Sequence, residues 1–93
     1  MVDYSSLPEH MQGAARRYVE KGIAPGSFLT ALLANDFMGA VGRADDTNQR
    51  ALMDWARWIH NEIPNGCHGN YERVTEWCKS GGLNGNAEKH EAA

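Results

Sequence analysis

Pro25-Gly26-Ser27 is the segment whose residue types have the clearest chemical use. Proline, glycine and serine ahead of an apolar run open a helix. The first N–H groups of a helix have no partner within it, and the dipole is positive at that end. Such an end accepts an anion. Gly26 lets an oxygen approach the backbone, and Ser27 adds a hydroxyl donor. Arg16 and Arg17 lie one or two turns before the loop, and Arg50 and Arg57 share one side of a later helix. Guanidinium is the better fork for phosphate oxygens, and six arginines outnumber three lysines. Tyr18, Trp55 and Trp58 offer faces on which a base would stack. The same residues also suit a plainer arrangement: an ordinary helix start, tryptophans in the core, and arginines paired with Glu20 and Asp54.

Other chemistries fit less well. His60, Cys67, His68 and Cys78 carry the atoms of a tetrahedral zinc site, but there is no Cys-x2-Cys pair, and the adjacent Cys67 and His68 would seldom face one metal. The spacing predicts a buried Cys78 with Cys67 and His68 exposed in a loop, and no metal or cofactor. None of Ser5, Ser6, Ser27 and Ser80 sits in a Gly-x-Ser-x-Gly elbow. Ser6 reads as a helix cap, and His10, four residues on, shares its exposed helix start. Glu9, Asp36, Asp45 and Asp46 all have capping roles, so no enzyme is expected. A helix-turn-helix would need a polar, basic second helix, whereas Phe28 to Ala34 is nearly all apolar. With a net charge of −3, DNA or RNA is an unexpected partner.

The elements that must position these residues are helical. Residues 7–22 read as a helix capped by Ser6, with Glu9 completing a capping box and Gly22 ending it. Leu7, Met11, Ala14, Ala15 and Tyr18 fall on one face. Phe28, Leu29, Leu32 and Leu33 form the stripe of a second helix. Asn35 tolerates the left-handed position that would end it, and Asp36 can cap a short piece over Phe37 to Arg43. Asp45-Asp46-Thr47 opens the next helix, with Asp46 and Gln49 as a capping box, and Leu52, Trp55, Ala56, Ile59 and Ile63 carry its period as far as Pro64. Asn70 caps a last helix, Tyr71 to Ser80, which Gly81-Gly82 stops. From Asn84 onward no large apolar residue remains, which reads as a disordered tail.

The 93 residues, 42% apolar and 23% charged with two cysteines, describe an ordinary globular domain rather than a disulfide scaffold. The expected fold is all-α: a compact bundle of three to four short helices over residues 1–82, with residues 83–93 as the tail. A body of about 80 residues is marginal alone, and three tryptophans are a generous apolar supply. Completion by homo-oligomerisation is expected. No run is long enough to span a membrane, and Met1-Val2-Asp3-Tyr4 does not start a signal peptide. The expected location is the cytoplasm.

The order of Leu7-Pro8-Glu9-His10-Met11, Arg16-Arg17-Tyr18-Val19-Glu20, Gly22-Ile23, Pro25-Gly26-Ser27-Phe28-Leu29-Thr30, Asn35-Asp36 and Arg43-Ala44-Asp45-Asp46 is distinctive. So is the later Asn61-Glu62-Ile63-Pro64 with its glycine-rich turn and Trp77. Over about residues 7 to 77 the chain resembles a family of small accessory proteins of tailed bacteriophages. The family carries no settled activity. The resemblance implies action in an infected bacterial host. Several unrelated phage proteins of this size are molecular sponges that withhold the nucleotide signals of antiviral systems. By that analogy the ligand would be a cyclic dinucleotide or an ADP-ribose derivative. Arg16, Arg17 and Arg43 would hold phosphates, Gly26 and Ser27 would supply donors, Tyr18 would stack, and Asn35 would read a base or ribose edge. The alternative is a protein-protein module that blocks or modulates a host or phage protein.

Overall fold

A computed structural model describes residues 2–86. The chain is all-α, with α1 (Glu9–Lys21), α2 (Ser27–Leu33), α3 (Phe37–Arg43), α4 (Asp46–Arg50), α5 (Leu52–Asn61) and α6 (Tyr71–Ser80), plus a 3-10 turn at Asn65–Cys67. Its radius of gyration of 12.8 Å is close to the ~12 Å of a compact chain of this length. No helix among the described residues is long and apolar enough to cross a membrane.

There are more elements than the expected three to four, because local caps cut the helical stretches short. Asn35 takes the left-handed conformation (φ 62°), which ends α2. The Asp36 carboxylate accepts the Gly39 N–H at 3.0 Å and starts α3. The helix expected from Asp46 onward is broken at Ala51. Its cap is Asp45 rather than Asp46: the Asp45 side chain accepts the Asn48 N–H at 2.7 Å. Asn70 caps α6 as expected, accepting from the Arg73 N–H at 2.8 Å. Gly22 (φ 69°) and Gly81 (φ 82°) supply the left-handed ends of α1 and α6.

Two expectations at the chain ends are corrected. Ser6 does not cap α1, which begins two residues beyond Leu7 with Pro8 at the cap position and no side-chain bond there. Leu7 is instead buried outside the helix, held by a turn in which its N–H donates to Tyr4 O at 3.1 Å. Burying both Tyr4 and Leu7 outweighs one capping bond. At the other end residues 82–86 are helical rather than disordered. Asn86 Nδ2 donates to Gly82 O at 2.9 Å. The rest of the expected tail lies outside the described residues.

The core is organised around an aromatic row. Phe28 meets Trp55 edge-on at 5.6 Å, Trp55 meets Trp58 edge-on at 5.8 Å, and Tyr4 lies tilted against Trp58 at 5.9 Å. Each indole N–H has a partner, as buried Trp requires. Trp55 donates to the buried Asn48 Oδ1, Trp58 to Asp3 O and Trp77 to Tyr18 O. All three tryptophans are therefore covered within one chain, and their burial calls for no second copy. The ends of α1 and α6 meet backbone to backbone at Gly22 and Gly82.

Asp36 and Asp45 give the fold an acid dependence. Bonds from the Tyr71 hydroxyl and then the Gly39 N–H hold the Asp36 carboxyl below its usual range. Bonds from the Asn48 N–H and then His10 do the same for Asp45. A carboxylate depressed in the folded state stabilises it above the ordinary carboxylate pKa, and that contribution is lost as the pH falls through the folded value. The melting temperature is expected to drop below about pH 4. The Asp36→Asn, Asp45→Asn double variant keeps capping side chains without the charge and should drop less. An equal acid drop in both proteins would contradict this assignment.

Candidate functional site

The structure does not gather the seven residues singled out for anion and base binding into one site. Tyr18 is fully buried on the inner face of α1, and its hydroxyl donates to Cys67 O at 2.6 Å. It cannot stack on a ligand. Trp55 and Trp58 are excluded from stacking in the same way. Arg16 lies over the Tyr4 ring at 4.9 Å and 3.9 Å from Glu20, while Arg17 is exposed on the same helix. Arg57 pairs with Asp54 at 3.8 Å. These pairs follow the plainer arrangement for Arg16, Arg57 and the tryptophans.

Gly26 and Ser27 are exposed at the start of α2. That helix spans 7 residues, too short for much of a dipole. A Cβ on Gly26 would meet nothing within 4 Å, so no close neighbour requires glycine there.

The histidines and cysteines are also rearranged from expectation. Cys67 is fully buried and Cys78 half-buried, the reverse of the predicted order. Cys67 Sγ contacts Pro64 O at 3.1 Å, and burial pushes its thiol up to about 12. The 3-10 turn after Pro64 carries Cys67 inward beneath the Tyr18 hydroxyl, which a linear reading of the loop could not show. Among the described residues no three His, Cys, Asp or Glu side chains come together as a metal site.

One of the predicted residues does line a groove. Asn35 lines a half-open groove of about 310 Å³ with Leu32, Phe37, Ala56, Ile59, His60 and His68. Its floor is apolar and comes from α2 and α5. Its rim carries the Asn35 amide, two imidazoles and the Phe37 ring, which is 58% exposed. Pockets of this size with a few polar groups suit small ligands.

Beside the groove, Tyr71 donates its hydroxyl to Asp36 Oδ2 at 2.7 Å. Arg43 folds back along α3, donating to Gly39 O at 3.1 Å. Arg73 contacts His68 O at 3.5 Å. Burial, then the charges of Arg73 and His60, hold His68 below the usual histidine range.

Sequence reasoning missed Phe37, His60, His68 and Arg73 as parts of one site. The available signal was an aromatic residue immediately after the Asp36 cap, where a side chain on the first turn of a short helix stays exposed. A larger cavity of about 510 Å³ lies between Tyr4, Glu20, Glu62 and Leu83. Its two carboxylates make it unsuited to an anion, and each already accepts a bond, Glu20 from Tyr4 and Glu62 from the Asp3 N–H. Searches against protein-family models, curated proteins and solved structures give no match to the chain.

Proposed function

We propose that the protein binds and withholds a nucleotide signal without altering it, as an accessory protein of a tailed bacteriophage countering antiviral defence in the cytoplasm of the infected host. The ligand class is a cyclic dinucleotide or an ADP-ribose derivative. The observation that supports the reading is the groove beside α3. It offers an exposed aromatic ring, a carboxamide and an apolar floor, while Arg43 bonds to Gly39 O on α3 and Arg73 contacts the O of the groove residue His68. In this proposal the base stacks on Phe37, Asn35 reads its edge, and Arg43 and Arg73 hold phosphates. Phe37 takes the role first expected of Tyr18.

Thermal unfolding in the presence of cyclic dinucleotides and ADP-ribose tests the proposal. A ligand at 100 times its Kd adds about 2.7 kcal/mol, a shift of roughly ten degrees or more for a domain of this size. Phe37→Ala should abolish the shift while leaving the unliganded melting temperature nearly unchanged, because the ring is mostly exposed. No shift with any nucleotide would overturn the proposal.

A second reading rests on Met38 and Met53, which are 75% and 64% exposed. Flexible methionines suit an adaptable protein-binding surface, for a host protein or for a second copy of this chain. It predicts that Met38→Ser with Met53→Ser releases a stoichiometric partner, or lowers the sedimentation coefficient, with nucleotides having no effect.

A further inference from the structure

We infer that His68 and Arg73 hold one phosphate of the ligand between them, and that capture takes up a proton at the His68 imidazole, so that binding tightens as the pH falls. This rests on the nucleotide reading above. His68 is held in place from both sides. Cys67 O accepts the Tyr18 hydroxyl at 2.6 Å, and the Gly69 N–H donates to Leu33 O at 2.8 Å. The second bond ties the loop to the end of α2, where His68 lines the groove with Asn35 and His60. Arg73, on the first turn of α6, lies along the same loop. Its Nη1 contacts His68 O at 3.5 Å, and a Cβ added at Gly69 would stand 3.3 Å from its Cδ and Nη1. A phosphate on the exposed Arg73 guanidinium is therefore beside His68.

The charges around His68 decide the sign of the effect. Among the described residues that line the groove there is no Asp or Glu. From α2 come only Leu32 and Asn35, and from α5 comes a second imidazole, His60. The Asp54 carboxylate of α5 pairs with Arg57. At α3, Asp36 accepts from the Gly39 N–H and the Tyr71 hydroxyl, and Arg43 bonds to Gly39 O. The groups whose charge acts on His68 are Arg73 and His60, neither of them an acid. Burial and these two neighbours all oppose a charged His68, so the imidazole is neutral at pH 7. A phosphate offsets both neighbours and accepts a charge-assisted hydrogen bond from the imidazolium. His68 is then more basic in the complex than in the free protein. Binding draws in a proton wherever the pH lies between its two values, and affinity rises as the pH falls through that range.

Isothermal titration of the full chain with ADP-ribose and with cyclic di-AMP over about pH 5.5–7.5 tests the inference. That range spans the ordinary histidine value and lies above the acid loss expected of Asp36 and Asp45. The phosphates of both probes keep their charge across it. Affinity should rise by up to about tenfold per pH unit as the pH falls. Titrations in buffers of different ionisation heat should show a net uptake of up to about one proton per ligand. His68→Gln keeps a polar side chain that does not titrate, and should lose both the uptake and the pH dependence. His10→Gln removes an imidazole that bonds Asp45 and does not line the groove, and should keep both. Arg73→Gln should weaken binding at every pH and, without ligand, move the NMR titration of the His68 ring upward. An affinity constant across the range, or a proton uptake that survives His68→Gln, would overturn the role of His68 while leaving nucleotide binding intact. Failure of both probes to bind at any pH would overturn the nucleotide reading, and the role of His68 with it.

Discussion

Trp55→Ala is expected to destabilise the protein by about 3–5 kcal/mol from the lost packing alone. Trp55 is fully buried, with Phe28 and Trp58 edge-on against its two sides. Its removal leaves a hole in the middle of the aromatic row, which short helices tied by caps cannot collapse around. A second cost falls on Asn48. This residue is 3% exposed, and its Oδ1 accepts the Trp55 indole N–H at 3.2 Å. Without that donor a buried carbonyl oxygen is left unpaired, at about 1–3 kcal/mol. Domains of this size have about 5–15 kcal/mol in total, so the variant should lose its near-ultraviolet circular dichroism and unfold at low urea. Trp55→Phe isolates the second cost. Adding Asn48→Ala to it should recover part of the loss, because removing both partners is milder than removing one. A Trp55→Ala urea midpoint near that of the parent would contradict this account of the core.

The second large effect is expected at Gly82, where the ends of α1 and α6 meet. Its φ is 70°, and an added Cβ would lie 2.5 Å from Gly22 N and 2.7 Å from Lys21 N. Both are backbone atoms, so no flexible side-chain end can move aside. Gly82→Ala would combine the roughly 1–2 kcal/mol cost of a left-handed alanine with separation of the ends of α1 and α6. That separation would pull the Trp77 indole from Tyr18 O, now 2.9 Å away. A loss of about 3 kcal/mol or more is expected. Gly26→Ala is the internal control. Gly26 has φ −64° and empty space around its Cβ position, so that variant should be neutral or gain a few tenths of a kcal/mol to about 1. Urea unfolding of the two variants side by side gives the comparison, and equal destabilisation would refute the steric account.

What the sequence discloses of this fold is mainly its punctuation. Gly22, Asn35, Asp36, Asn70 and Gly81 act within three or four residues of their own position, so residue type and neighbours suffice to place them. Ser6 fails as a cap because the decision there is not local: Tyr4 and Leu7 are drawn into a core built from residues far along the chain. Asp45 and Asp46 are chemically equal candidates, and only the approach of His10, 3.0 Å from Asp45, separates them in space.

The site is less legible than the fold for the same reason. Tyr18 shares its helical stripe with Ala15, and that periodicity already favours the interior. Its ring suggested a stacking face, but the ring is buried and the hydroxyl donates to a backbone carbonyl. The groove joins Leu32, Phe37, Ile59 and His68 from four separate segments, and no spacing rule connects them. Asn35 was found for its backbone and for its amide independently. The structure puts both properties at the groove's edge.

The hydrogen bond from Trp77 to Tyr18 spans 59 residues, and the one from Trp58 to Asp3 spans 55. The consequence is one of timing. Helices form in about a microsecond and helical bundles with neighbouring contacts fold quickly, but here the first helix is completed by the last. On the ribosome, α1 must wait until Trp77 has emerged before its inner face is covered. Until then Tyr18 and Val19 stay open to other partners. Refolding should therefore be slower than the short helices alone would suggest, with docking of α6 on α1 as the step that sets the pace.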